Sequence, residues 1–393
     1  MIYRRFGRTE LQMPVLSCGG MRYQHDWKDV PMEDIPRANQ ENLEATIGRS
    51  VEVGINHIET ARGYGTSEMQ LGQILPKFPR EKLIVQTKVS PRETPEEFLE
   101  TFETSLRYLN LDHVDLLSLH GINTHHLLDL ALRPGGCMEV CRQLQREGRV
   151  RFVGFSTHGP QQMIVDAVET GEFDYFNVHW YWVNRRNWPA IEAATRHDMG
   201  VFIISPNDKG GKLYEPPQKL VNLCDPLSPM IFNDLFCLQH PEVHTLSIGA
   251  SKPQDFDEHL RALDQLDGSD ALVAQIDERL VAELQRVLGR DWYDNWQHGI
   301  PECNEIPGEI NVWEILRLSN LAKALDLVAF GKMRYNLLGN ADHWFPGAKA
   351  VGFDDDAIRS ALTHSPFGDR IPDLLREAHQ LLNDAPKARL SES

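Results

Sequence analysis

INHIETARGYG, residues 55–65, opens like a buried β-strand, with Ile55 and Ile58 set among polar neighbours. It then breaks at a glycine-flanked turn that carries Glu59 on one side and Tyr64 on the other. Similar short apolar runs recur along the chain: PVLSCGG from residue 14, LIVQTKV from 83, VDLLSLH from 114 and VRFVGFST from 150, then FDYFNVHWY from 173, GVFIISPN from 200 and HTLSIGA from 244. Between most of them lie stretches with helical spacing: ENLEATIGRSVEVG, EEFLETFETSLRYLN, CMEVCRQLQREG and WPAIEAATRHDMG. Strand and helix in strict alternation call for a parallel sheet covered by helices. Eight such strands predict an α/β fold of the closed (β/α)8 TIM-barrel type rather than an open doubly wound sheet.

Outward from this series the chain changes character twice. MIYRRFGRTELQM at the start carries Gly7 between two short alternating runs and reads as a hairpin ahead of the first barrel strand, plugging the barrel floor. After about residue 285 the βα rhythm stops. DWYDNWQHGIPECNEIPGEIN, rich in Trp, Pro and Gly, reads as irregular, and VWEILRLSNLAKALDLVAFGKMRY, DDDAIRSALTHS and IPDLLREAHQLL read as helices. The expected division is a barrel over residues 1–285 and a mostly helical region over 286–393, ending in a frayed KARLSES tail.

Composition narrows the function classes. With 41% hydrophobic and 25% charged residues the chain has the makings of a real core. A formal net charge of −17 argues against non-specific binding to nucleic acid or to anionic membranes, both polyanionic, and leaves room for a small anionic ligand in a local basic pocket. The six cysteines show no Cys-x-x-Cys pair and read as free thiols of a reducing compartment. No run resembles a signal peptide or approaches the ~18 apolar residues of a membrane span, so a cytoplasmic location is expected.

Active sites of such barrels lie at the C-terminal ends of the strands. The second run ends at Glu59 and leads to Tyr64, the third ends at Lys88, and the fourth ends at His120. Three neighbouring strands therefore aim a carboxylate, an ammonium and an imidazole at one rim, with a phenol beside them. A tyrosine is a weak acid, with an ordinary pKa of about 10. A nearby ammonium stabilises its phenolate, and a carboxylate holds that ammonium in place. Such a phenol protonates a carbonyl oxygen as it becomes an alkoxide. Nothing in this set is a hydride source, so a reduction requires a cofactor.

These residues resemble the aldo/keto reductase family, whose second strand and loop read Asp-Thr-Ala, two residues, Tyr-Gly, often with Ser-Glu and Leu-Gly behind. ETARGYGTSEMQLG matches nearly throughout, with Glu59 in place of the family's Asp, and RRFGRTELQMPVLSCGG looks like the family's start. The resemblance implies a reductase of aldehydes or ketones with Tyr64 as general acid, Lys88 as the partner lowering its pKa, Glu59 behind Lys88, and His120 orienting the substrate. It implies NADPH, or NADH, as cofactor. Ser156 and Thr157 of GFSTHG would hold the nicotinamide amide with Asn177, where the family has Gln. Ile204 takes the slot of a stacking aromatic before Ser-Pro. Gly20, Met21, Pro206 and Ser251 join the expected cofactor contacts. IGASKPQDFDEHL is similar to the family's adenosine clamp, with Glu258 and His259 at the adenine, Lys252 near a 2′-phosphate, and Asp255 where many members have Arg.

The C-terminal region resembles a branch of the family that appends a ferredoxin-like module with four cluster cysteines. WQHGIPECNEIPGEINVWEILRL keeps the frame and Pro307 but retains Cys303 alone, which implies no iron–sulfur cluster. Trp292, Trp296 and Trp313 are expected either to shape a substrate pocket or to belong to a structural cap. HWYWVNRRNW (179–188) reads as an aromatic loop lining the substrate site. The two histidines of NTHHLLDL lack partners at ligand spacing, so no metal site is expected, and Cys137 and Cys141 read as packing residues. The partner expected is a small carbonyl compound. The alternative class is a regulatory or interaction protein that binds the cofactor on the same fold with little catalysis.

Overall fold

In the computed structural model, which describes residues 1–387, each of the eight apolar runs becomes one strand of a closed parallel barrel. The tail KARLSES, save Lys387, lies outside the described residues. Strands β1 (Tyr3–Arg5) and β2 (Gln12–Pro14) form an antiparallel hairpin. The barrel follows in chain order with β3 (Leu16–Gly19), β4 (His57–Glu59), β5 (Ile84–Val89), β6 (Val114–Leu119), β7 (Val150–Ser156), β8 (Tyr175–Val178), β9 (Gly200–Ile203) and β10 (Thr245–Ile248). Strand β10 closes back on β3. Every residue of β5 and β6 is buried, which explains why these runs do not alternate strictly between apolar and solvent-facing residues.

The connecting helices form where the sequence places caps and stripes. Pro95–Leu109 starts at Thr94, whose hydroxyl accepts a hydrogen bond from the Glu97 amide, and it stops at Asn110 in the left-handed conformation (φ 53°). Its buried side chains, Phe98, Phe102, Ser105, Leu106 and Leu109, fall on one helical face. The stretches 41–54, 137–148 and 188–200 likewise supply the helices Arg37–Glu52, Cys137–Arg146 and Trp188–Arg196.

The N-terminal hairpin does close the barrel floor. Phe6 is fully buried in a cluster with Leu11, Met13, Ile84, Leu116, Tyr175 and Phe202. Gly7 (φ 52°) makes this insertion feasible, because a Cβ there would come within 2.6 Å of the Met199 and Gly200 backbone. Arg5 pairs with Asp198 at 2.7 Å, and Arg8 donates to the Phe173 carbonyl.

Above this apolar floor the barrel interior is polar. Ser17, His57, Gln86, Ser118, Asn177 and Thr245 are all buried and joined by hydrogen bonds. Higher still, at the C-terminal strand ends, stand Glu59, Lys88 and Ser156.

The chain divides into two compact units: residues 1–207 with 233–267, and residues 208–232 with 268–393. The expected cut at 285 therefore differs from the packing in two places. The segment after Asn207 leaves the barrel unit and re-enters it at Asn233, and the helix Asp270–Leu288 goes with the C-terminal helices. Within the second unit the helix Val312–Leu325 is buried almost all round, as befits a central element. Its Asn320 accepts a hydrogen bond from Trp292 Nε1 at 3.0 Å, Trp292 packs on Phe367, and Trp296 packs on Trp313. Of the two expectations for these tryptophans, the structural one holds for Trp292 and Trp296, both buried in this unit's own core. The frame around Cys303 forms two short 3-10 turns, Cys303–Glu305 and Pro307–Glu309.

Candidate active site

Glu59 is the last residue of β4, and its neighbour in register on β3 is Gly19. The turn that follows brings Tyr64 back over the barrel mouth, where Lys88 rises from β5. Lys88 Nζ donates to the Tyr64 hydroxyl at 3.1 Å and to the Thr60 carbonyl at 2.9 Å, and it forms an ion pair with Glu59. The side chains of Lys88 and Glu59 are only 1% and 4% exposed, so the pair is shielded from water. His120, just past β6, sets its ring edge-on to Tyr64 with centroids 5.7 Å apart. The four residues singled out from the strand ends thus converge. Glu59 reaches Lys88 despite its extra methylene.

Burial acts on both ends of this line. It pushes the Tyr64 phenol above its ordinary range and holds Lys88 well below the ordinary amine range. The Glu59 carboxylate opposes the second effect by favouring the ammonium. Desolvation on burial therefore outweighs the expected lowering of the Tyr64 pKa.

Sequence reasoning missed what holds the Tyr64 turn. Arg62 bridges Glu68 (2.6 Å) and Asp29, and Glu68 accepts from the Thr87 hydroxyl at 2.5 Å. Asp29 belongs to the long loop after β3. That loop lies directly on the turn: Thr66 N donates to the Asp26 carbonyl at 3.0 Å, and His25 N donates to Gln70 Oε1 at 2.9 Å. Gly65 (φ 54°) leaves no space for a side chain against Asp26 and Trp27. Trp27 consequently stands edge-on to Tyr64 at 6.4 Å, a half-buried wall beside the phenol. The Arg62 to Glu68 spacing inside the motif was the available signal, but the loop contributes nothing periodic.

The expected cofactor residues separate into two kinds. Ser156 and Asn177 are register neighbours on β7 and β8, both buried. Asn177 Oδ1 accepts from Gln86 Nε2 at 3.3 Å, while Asn177 Nδ2 is buried with no hydrogen-bond partner, a donor suited to a ligand carbonyl. Gly20 packs against the Glu59 backbone with no space for a side chain, and Met21 beside it is half-buried. Lys252 is exposed, and Ser251 donates from both N and Oγ to Asp255 at 2.8 Å.

Others are turned inward. Thr157 donates to the Ile122 carbonyl at 2.8 Å and accepts from Gly159 N at 3.0 Å, so its hydroxyl is spent within the fold. His259 is fully buried, with Nδ1 on Asp234 at 2.5 Å and Nε2 on Asn207 at 3.1 Å. It serves as a brace rather than an open contact. Ile204 packs against the floor cluster, and the Pro206 carbonyl accepts from Asn233 Nδ2 at 3.4 Å. The aromatic run after β8 is also inward. Trp180 packs among Phe236, Trp188 and His240, and Tyr181 donates to the Ile204 carbonyl at 2.7 Å. The run is a packing element where a lining loop was expected, because its aromatic faces find apolar partners on neighbouring helices. His125 pairs with Asp166 at 2.9 Å and His126 with Glu93 at 3.7 Å. Cys137 and Cys141 are buried in packing.

A model of the aldo/keto reductase family matches residues 15–210, which span β3 to the end of β9 and contain all four converging residues. This part of the chain belongs to the aldo/keto reductase family. Among its relatives, the NADH-specific methylglyoxal reductase of Escherichia coli (strain K12) is 28% identical over 188 residues, 42% of this chain and 56% of that one. The L-glyceraldehyde 3-phosphate reductase of the same organism is 20% identical over 338 residues, 71% of this chain and 92% of that one. Among solved structures, the holo form of an aldo-keto reductase from Bacillus halodurans aligns with a TM-score of 0.60 at 21% identity, covering 71% of this chain and 96% of that one. An aldo-keto reductase from Klebsiella pneumoniae in complex with NADPH aligns with a TM-score of 0.57 at 19% identity, covering 70% and 94%. These structural likenesses establish a shared fold. Among the described residues, no helix is long and apolar enough to cross a membrane.

Proposed function

We propose that this chain is an NAD(P)H-dependent oxidoreductase that reduces an aldehyde or ketone, with Tyr64 as the proton donor. The observation that carries the reading is the buried line Glu59–Lys88–Tyr64 at the barrel mouth, with the Asn177 amide nitrogen left without a partner. When bound, a reduced nicotinamide supplies the hydride. The chain's own residues supply the rest. Ser156 and Asn177 hold the carboxamide, Gly20 and Met21 flank the ring end, and Ser251, Lys252 and Glu258 lie toward the adenosine end. Thr157, Pro206 and His259 keep that surface in shape from within.

Tyr64 delivers its proton to the carbonyl oxygen as negative charge develops there. Lys88 stabilises the phenolate that remains, and Glu59 keeps Lys88 charged against the pull of burial. His120, edge-on to Tyr64, orients the same oxygen. Raised by burial, the phenol retains its proton until the oxygen becomes basic enough to take it.

The test uses the full chain with NADPH and NADH. Binding shifts or quenches the nicotinamide fluorescence, and a reactive aldehyde such as methylglyoxal then drives its oxidation. Failure to bind either dinucleotide refutes the reading. Binding without turnover across a broad carbonyl panel assigns the chain instead to a regulatory role on the same fold.

A further inference from the structure

The polar layer beneath the site is one connected hydrogen-bond chain. Its direction follows from the orientation of the Gln86 amide. Gln86 spends its amide nitrogen on Ser118 Oγ (2.9 Å) and Asn177 Oδ1 (3.3 Å), so its Oε1 must accept from His57 Nε2 at 3.1 Å. A neutral imidazole carries one N–H, so His57 Nδ1 accepts the Ser17 hydroxyl proton at 2.7 Å. Ser17 in turn accepts from Thr245 at 2.6 Å. At the other end, Ser118 meets the Tyr175 hydroxyl at 3.0 Å. All seven residues are buried, away from bulk solvent. Among the side-chain nitrogen and oxygen atoms of these seven residues, Asn177 Nδ2 alone has no hydrogen-bond partner.

We propose that Gln86, held by His57, is a positioning residue that fixes the Asn177 amide so that Nδ2 is presented as a donor to the carbonyl oxygen of the nicotinamide carboxamide. This rests on the cofactor reading above. A free asparagine amide offers a ligand either its oxygen or its nitrogen. Here Gln86 occupies the oxygen, so only the nitrogen is on offer, and it is already oriented before a ligand arrives. The shorter Asn177 side chain thereby gains the rigidity it needs to act from the strand.

The test reads equilibrium binding, by quenching of protein tryptophan fluorescence, and needs no turnover. Two ligands are compared: NADP⁺ and its 3-acetylpyridine analogue, which keeps the carbonyl oxygen but has no amide nitrogen. Asn177→Asp replaces the donor by an acceptor, which only the carboxamide can satisfy. The ratio of analogue to NADP⁺ dissociation constants is expected to rise about tenfold over wild type; an unchanged ratio overturns the proposed polarity. Asn177→Ala is expected to weaken NADP⁺ about tenfold in the wild-type background and no more than about threefold on Gln86→Met. Equal losses in both backgrounds overturn the positioning role. The first comparison leaves Gln86 intact and stays decisive if Gln86→Met does not fold. Wild-type protein that binds no nicotinamide dinucleotide overturns the functional reading and this inference together. Binding by wild type with neither effect overturns this inference alone.

Discussion

Lys88 Nζ lies 3.1 Å from the Tyr64 hydroxyl although the two residues arise from different elements, one from β5 and the other from the turn after β4. Tyr64→Phe removes the hydroxyl and little else. Turnover with a reactive aldehyde is expected to fall by ~10²–10⁴-fold. The dissociation constant for NADPH, read by fluorescence, should stay within about threefold, since the ring is kept and none of the residues proposed to hold the dinucleotide is altered. Unchanged turnover would remove Tyr64 from the chemistry.

Glu59→Gln leaves Lys88 buried without its counter-charge. Removing one partner of a buried ion pair destabilises by about 3–5 kcal/mol. The denaturation midpoint in urea is expected to shift accordingly. Turnover should fall as well, because no carboxylate then favours the ammonium form of Lys88 beside the phenol. A variant as active as wild type would show that the carboxylate is not what keeps Lys88 charged.

Burial holds His57 at about 3 and His244 at about 4, against an ordinary 6.5. The unfolded chain therefore binds more protons than the native one between roughly pH 3 and 6.5, so stability is complete above that window and is lost as pH falls through it. Each imidazole contributes a slope of up to about 1.4 kcal/mol per pH unit. Urea unfolding at pH 5 and pH 7.5 should show wild type losing stability at the lower pH. His57→Gln should lose less between the same two pH values. An identical pH dependence in the variant would exclude His57 as a source.

Gly65 takes a left-handed conformation and has no space for a Cβ against Asp26. Gly65→Ala is expected to cost about 1–3 kcal/mol. It should also loosen the loop that holds Trp27 against Tyr64, raising KM for bulky aldehydes more than the dissociation constant for the dinucleotide. An unchanged KM would show that Trp27 forms no wall of the substrate site.

The C-terminal region contains one cysteine, Cys303, where a four-iron cluster requires four ligands. Protein purified with or without oxygen is expected to contain no iron and no acid-labile sulfide. Stoichiometric amounts of both would overturn this.

The sequence by itself determined the barrel, because strands buried on both faces announce themselves as short, largely apolar runs between helical stretches. It also determined Glu59, Tyr64, Lys88 and His120, since strand ends in this architecture share one rim and their residue types are legible one by one. What only the tertiary structure decided depends on partners distant in the chain. Nothing near Thr157 or His259 announces that Ile122, Asp234 and Asn207 consume their polar atoms, and the aromatic run 179–188 becomes packing only because Phe236 and His240 fold onto it. The long loop after β3 carries no periodicity, so its seat on the Tyr64 turn was invisible. The same holds for Gln86 and His57, which read as ordinary strand residues. Their importance comes from having neighbours across the barrel, where Gln86 takes up the Asn177 oxygen and leaves its amide nitrogen without a partner.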